Sequence, residues 1–275
     1  MTTKIDFGPV GVTLTHGDWD ALVSAAPELE ELGYSTIWIS GGQLDDLDRI
    51  ASVVRATRTV PVATGIIPFD VFGPAAVARA YAQVEATHPG RLVVGLGGAH
   101  GPSPLRTLGG YLDGLDGAIP QARRMLAALG PRMLELARDR AAGAVQLLVT
   151  PEYTAGARAL LGADATLAVQ LCVVVDTDPS RSRGAARELI GFLGGVGGYP
   201  AHLRRLGFGD DDITQLSDPL VDALVPHGDA ETVAARVTEL LASGADHVAV
   251  TVLSSDDADA LPRRQWRELA AALIG

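Results

Sequence analysis

The stretch His88-Pro89-Gly90-Arg91-Leu92-Val93-Val94-Gly95-Leu96-Gly97 decides the fold. Upstream of it, Gly73-Pro74 opens an amphipathic segment that predicts a helix, with Pro74 near the first helical position, where a missing N–H costs nothing. At His88-Pro89-Gly90 proline forbids continuation, and a continuous apolar run begins. Unbroken Val and Leu, rather than an apolar/polar alternation, is the pattern of a parallel strand covered on both faces. The same unit recurs along the chain. Apolar runs fall at Phe7–Leu14, Ser35–Ser40, Val60–Ile67, Arg91–Gly98, Arg124–Leu129, Val145–Thr150, Thr166–Val175 and His247–Leu253. Eight is the number that closes a (β/α)8 TIM barrel, and the 275 residues suit a single barrel domain spanning 1–275.

Punctuation between the runs supports this reading. Asp18 can cap a helix over Trp19–Leu32 that stops at Gly33. Pro131 opens the fifth helix and Pro151-Glu152 the sixth, Asp178-Pro179 the seventh, and Asp229 caps Ala230–Ala242. Pro262–Ile274 is a closing helix. One stretch departs from the alternation: Gly191 to Pro226, glycine-rich and then acidic, predicts an insertion between strands 7 and 8, an elaborated loop with short helices and no core pattern of its own.

Composition excludes several classes. A formal net charge of −11 argues against nucleic acid as a partner, because neutralising phosphates needs a basic face. No apolar run reaches the roughly 20 residues of a bilayer span, and Met1–Asp6 lacks the pattern of a leader, so a cytoplasmic protein with no membrane partner is expected. The one cysteine, Cys172, sits inside an apolar run and reads as a buried core thiol. No metal site is expected, since no HExxH, CxxC or clustered His/Asp set occurs; nor is there a GxSxG elbow or a P-loop.

In such barrels function gathers on the loops after the strands. The sharpest candidate is Leu126-Ala127-Ala128-Leu129-Gly130-Pro131-Arg132-Met133, where a strand runs through a Gly-Pro turn directly into a helix. The first N–H groups of that helix, at Gly130, Arg132 and Met133, would face the barrel mouth and suit a phosphate; an ordinary βα turn is the alternative. After strand 4, Gly95-Leu96-Gly97-Gly98-Ala99-His100-Gly101 resembles a dinucleotide fingerprint. His100 stands at the third glycine position, however, and Pro102 and Pro104 prevent the immediate helix which that motif needs. These glycines better suit a flat ring lying against backbone. His100 at the rim could then polarise or protonate a substrate, or be solvated or structural. His16 is a weaker candidate, His247 reads as structural at the opposite barrel face, and His88, His202 and His227 suggest no site.

Four segments carry a family resemblance: Ala63-Thr64-Gly65-Ile66, His88–Gly97, Leu126–Leu134 and Gly244-Ala245-Asp246-His247-Val248. Together they resemble the luciferase-like monooxygenase superfamily, in particular an actinobacterial branch of F420-dependent oxidoreductases, over nearly the whole chain. Arg204–Phe208 and Val221–Val225 fit that branch as well. The resemblance implies a bacterial-luciferase-like barrel that holds coenzyme F420, or alternatively FMN, at its C-terminal mouth. It implies that Ala128, Leu129, Gly130, Pro131, Arg132 and Met133 bind the cofactor phosphate, with Thr150 lining the same region. It further implies that Ser40, Thr64, Gly65, Ile66 and Gly97 lie around the ring, with a non-proline cis peptide at Gly65-Ile66 or the bond beside it. Two departures stand out. Ser40-Gly41-Gly42 replaces an Asp-His or similar pair found after strand 2 in several members, and His100 stands where some members carry an acidic general acid.

The activity implied is hydride transfer between the reduced deazaflavin and a small organic substrate, with His100 as the catalytic proton donor or acceptor. The competing readings are an FMN-dependent monooxygenase, a non-catalytic flavin- or F420-binding barrel, and, more distantly, a non-redox barrel acting on a phosphorylated substrate. A homodimer is expected.

Overall fold

The computed structural model describes residues 4–15, 18–41, 44–98, 103–254 and 260–275. Ten strands run in chain order: β1 Val10–Leu14, β2 Ile37–Ser40, β3 Val62–Gly65, β4 Ile67–Pro68, β5 Leu92–Gly97, β6 Arg124–Ala127, β7 Gly143–Leu147, β8 Thr166–Val175, β9 His227–Gly228 and β10 His247–Val252. Eight of them close a parallel barrel in the order β1-β2-β3-β5-β6-β7-β8-β10, with β10 pairing both β8 and β1. Each of the eight apolar runs carries one barrel strand, so the (β/α)8 architecture expected from the sequence is the one observed.

The boundaries differ in two instructive places. The third run breaks at the Gly65-Ile66 peptide, which is cis, and resumes as β4 beside β5. The sixth strand starts two residues before the apolar run, at Gly143, where β7 comes so close to β8 that an added Cβ would lie 1.8 Å from the Thr166 carbonyl oxygen. It ends at Leu147, because Leu148 takes a left-handed backbone (φ 55°) that turns the chain outward. After β5, which ends at Gly97, the next helix starts only at Pro104 (α4, Pro104–Asp113), with proline at the first helical position and not with the immediate helix a dinucleotide fingerprint needs.

Caps set the other helix starts. The Asp18 carboxylate accepts from Ala21 N–H at 3.1 Å ahead of α1 (Trp19–Glu31). α2 (Asp48–Ala56) and α3 (Pro74–Thr87) follow β2 and β4. Pro131 opens α5 (Pro131–Arg140) and Thr150 caps α6 (Pro151–Leu161). Asp178 caps α7 (Pro179–Gly194) through Ser180 and Arg181 N–H, and Asp229 caps α11 (Ala230–Ala242). α12 (Arg263–Leu273) closes against the wall, with Trp266 and Leu269 buried. Among the described residues no helix is long and apolar enough to cross a membrane.

Three apolar clusters hold the fold together. The first joins the outward strand faces to the wall helices, and its members on α11 are Val233, Val237 and Leu240. The second fills the lower barrel lumen with Phe7, Trp38, Ala63, Val93, Met125, Ala168 and Ala249. There His247 sits fully buried: its Nδ1–H donates to the Gly8 carbonyl at 2.7 Å, and its Nε2 accepts from the Trp38 indole N–H at 2.9 Å. The structural reading of His247 is therefore correct.

The third cluster was not expected. The segment after β8 forms α7, α8 (Tyr199–Arg205), α9 (Asp210–Gln215) and α10 (Asp218–Leu224), and these bury Ala186, Ile190, Leu203, Leu220, Val221 and Leu224. Their partners Leu148, Val174 and Leu253 stand at strand C-termini. The insertion thus has a core of its own, seated on the mouth. α7 belongs to it by packing, whereas α11 covers the barrel wall. The apolar spacing of this core is spread over α7 and three helices of only six or seven residues, which hides the pattern in the sequence.

Candidate functional site

Two structures occupy the C-terminal mouth, beginning with the turn after β6. The Ala128 N–H donates to the Val145 carbonyl at 3.2 Å, and the Ala128 carbonyl accepts from Gln146 Nε2 at 3.0 Å, so the chain leaves the barrel at a fixed angle. Gly130 is the extended N-cap of α5, Pro131 follows at the first position, and an added Cβ at Gly130 would meet open space. Of the three N–H groups expected to point at a ligand, that of Met133 already donates to the Gly130 carbonyl at 3.0 Å, an i to i−3 bond that tightens the first turn. Those of Gly130 and Arg132 make no hydrogen bond among the described residues. The Arg132 side chain is exposed and, among the described residues, unpaired.

Two further side chains reach this turn. The Leu129 carbonyl accepts from the Tyr153 hydroxyl and, at 3.4 Å, from the Arg205 guanidinium. Arg205 is carried in by α8, and no carboxylate pairs with it among the described residues. Its neighbour Arg204 is held by Asp210 at 2.7 Å. Thr150 serves as a cap, its hydroxyl accepting from Tyr153 N–H at 3.3 Å, and it lines a cavity of about 370 Å³ with Pro131, Tyr153 and Arg205. Neither Arg205 nor Tyr153 was a candidate from the sequence. An Arg-Arg pair on an acidic insertion gives no sign of which arginine is committed. Beneath Tyr153, His202 packs edge-on at 4.8 Å and donates through Nε2–H to the Leu148 carbonyl at 2.8 Å, pinning the insertion to the end of β7. Burial pushes the His202 imidazole down to about 4, so it is neutral near pH 7.

The second structure is the platform around the cis peptide. The Thr64 hydroxyl donates to the Gly95 carbonyl at 3.0 Å and accepts from the Gly95 N–H at 2.9 Å, replacing backbone pairing where β3 breaks. Thr64 therefore supports the platform from below. The glycines after strand 4 do not leave bare backbone for a ring. An added Cβ at Gly95 would lie 1.9 Å from the Thr64 carbonyl oxygen, and at Gly97 it would lie 2.8 Å from the Ala127 Cβ and 2.9 Å from Ile66. Their missing side chains admit the displaced strand and Ile66, which becomes the half-buried surface presented upward. Gly41 completes the arrangement, since its Cβ would fall 1.3 Å from the Ile66 carbonyl oxygen. Ser40 stands beside it, half-buried at the end of β2. That close approach explains why glycine, rather than a charged pair, follows strand 2 here.

Polar groups in the upper lumen were also missed. Along β1 the inward positions are Gly11, whose added Cβ would strike the His247 ring, and then Thr13. The Thr13 hydroxyl is buried without a hydrogen-bond partner among the described residues. The Gln170 amide nitrogen lies so close to Gly65 that an added Cβ there would be 1.9 Å away. A single polar residue inside an unbroken apolar strand was the signal available for both. Cys172 is buried, as read, and desolvation pushes its thiol up to about 12. His16 and His100 lie outside the described residues. Among the described residues no three His, Cys, Asp or Glu side chains cluster as a metal site would require.

Fold and mouth together define a TIM barrel with an anion-suited turn on one side and an apolar platform beside it. Residues 5–123 match the family model of luciferase-like monooxygenases, in line with the sequence resemblance. The F420-dependent hydroxymycolic acid dehydrogenase of Mycobacterium tuberculosis (strain ATCC 25618 / H37Rv) is 32% identical over 101 residues, a stretch that takes in 32% of this chain and 28% of that protein. Among solved structures, an F420-dependent secondary alcohol dehydrogenase in complex with an F420-acetone adduct superposes with a TM-score of 0.67 at 17% identity, covering 99% of both chains. The FMN-bound oxygenating constituent of 3,6-diketocamphane monooxygenase from the CAM plasmid of Pseudomonas putida gives 0.66 at 14% identity, covering 97% of this chain and 98% of that one. At such identities these likenesses concern the fold.

Proposed function

We propose that the protein is an F420-dependent oxidoreductase acting on a small organic substrate. The observation that carries this reading is the β6–α5 turn. There the Gly130 and Arg132 N–H groups, the helix dipole and two guanidinium groups without a carboxylate partner among the described residues, Arg132 and Arg205, converge beside an apolar platform. A cofactor with a phosphate at one end and a flat ring at the other needs both features. The residues present fit such a group: Gly130 leaves open space at the helix start, and Thr13 offers in the lumen a hydroxyl without a partner among the described residues. The curated relative, F420-dependent by name, supports F420 over FMN.

When bound, the deazaflavin would supply hydride chemistry at its C5 carbon. The chain's own contribution is positional. Gly130, Arg132 and Arg205 would hold the phosphate, Thr150 and Tyr153 would keep the turn rigid, and Ile66 would support the ring from below. His100 would move the accompanying proton. A His100→Ala variant should then bind cofactor normally but lose turnover, and retention of full turnover would remove His100 from this role. An FMN-dependent monooxygenase is the second reading, favoured by the FMN-bound structural likeness. Absorption titration of the purified protein with F420 and with FMN separates the two.

A further inference from the structure

Across the mouth from the β6–α5 turn lies a second cavity, of about 240 Å³, which the cofactor reading leaves unused. In the barrel order β1 is four strands removed from β6 in either direction, so this cavity, at the ends of β1 and β10, faces the anion turn across the lumen. Thr15 and Leu253-Ser254 form its base, Ala260 and Pro262 one side, and Ala185, Leu189 and Phe192 of α7 its cover. Phe192 is 74% exposed, the most exposed large apolar side chain among the described residues, and it is held out of the insertion core at the cavity's edge.

The charge pattern is specific. Among the described residues, Glu188 is the one ionisable side chain lining the cavity. The arginines of the same helix are committed elsewhere: Arg181 to Asp176, Arg183 to Asp218 and Asp222, and Arg187 to Asp218. That leaves Glu188 without a cation among the described residues. A carboxylate at the rim of an apolar hollow favours a cation with an apolar body and repels an anion, and the chain's net charge of −11 acts in the same direction. An apolar cavity of roughly 150 Å³ holds a benzene-sized molecule, so 240 Å³ admits one ring with a short substituent.

We propose that this cavity binds a small apolar amine, with its ammonium at Glu188 and its hydrocarbon body against Leu189, Phe192 and Leu253. Naming that amine the enzyme's second reactant rests on the oxidoreductase reading above, but the binding does not.

The test is an NMR titration of the purified full-length protein, without cofactor, using cyclohexylamine (protonated at neutral pH) and cyclohexanecarboxylate at matched millimolar concentrations. The amine should bind saturably and shift resonances of α7 and of the residues after β10, and the carboxylate should not. Glu188→Gln should weaken amine binding roughly threefold, in keeping with a half-solvated ion pair. Phe192→Ala should weaken it further while leaving the resonances of the barrel strands in place. Equal binding of both probes, unchanged amine affinity in Glu188→Gln, or shifts confined to another part of the molecule would overturn the proposal. The titration needs no cofactor, so its failure leaves the F420 and FMN measurements untouched.

Discussion

The floor and the mouth of the barrel are built from the same strands, yet they treat polar groups in opposite ways. At the floor, Trp38, His247 and the Gly8 carbonyl form a closed chain of hydrogen bonds inside an apolar cluster. At the mouth, the Gly130 and Arg132 N–H groups and the Thr13 hydroxyl have no hydrogen-bond partner among the described residues, and the exposed Arg132 and Arg205 guanidinium groups have no carboxylate partner there. A buried polar group without a partner costs on the order of 1–3 kcal/mol. At the mouth the buried Thr13 hydroxyl carries that cost, and under the proposed function a bound ligand would relieve it.

The largest expected effect tests the floor. Trp38→Ala should destabilise the protein by about 3–5 kcal/mol, because it opens a large void and strands His247 Nε2. Urea unfolding measures this, and a loss below about 1 kcal/mol would mean that the lumen is not closely packed.

The next effect is one of pH. Burial pushes His247 and His202 down to about 4 in the folded protein, against 6.5 when solvated. The unfolded chain therefore binds protons more readily between those values. This stability is fully present above pH 6.5 and drains away as the pH falls toward 4. By pH 5 each histidine should have removed on the order of 2 kcal/mol. Unfolding midpoints at pH 7 and pH 5 give the comparison, and a flat profile would contradict the buried neutral assignment.

A pair of glycine substitutions sharpens the contrast. Gly41→Ala drives a methyl group into the Ile66 backbone and should cost about 1–3 kcal/mol. Gly130→Ala adds a methyl in open space, on extended backbone any residue adopts, and should change stability by less than about 0.5 kcal/mol. Equal effects at the two positions would show that the platform is not closely packed.

These cases also mark how far the sequence could be read. The barrel was legible because two-sided burial writes continuous Val/Ile/Leu runs, and because Asp18, Pro74, Pro131, Asp178 and Asp229 punctuate the helices with side-chain chemistry that needs no tertiary context. The Gly130-Pro131 turn was legible for the same reason. The purpose of Gly41, Gly95 and Gly97 was not, since each answers a neighbour distant in sequence, and the glycines that looked like room for a ring are filled by Ile66 and the Thr64 carbonyl. Arg205 reaches the turn only because His202 and the insertion core seat α8 above it, a placement that no local pattern records.

The smallest expected change in stability belongs to the mouth. Arg132→Ala and Arg205→Ala remove exposed side chains and should leave unfolding midpoints within about 0.5 kcal/mol of wild type. Their effect should fall on ligand binding. Titration of wild type and of the Arg132→Ala/Arg205→Ala double variant with F420 and with FMN, followed by absorption, is therefore the most direct test of the central claim. Saturable binding of F420 by the wild type, weakened about tenfold or more in the double variant, is the predicted result. No binding of either cofactor, or equal affinity in the double variant, would contradict it.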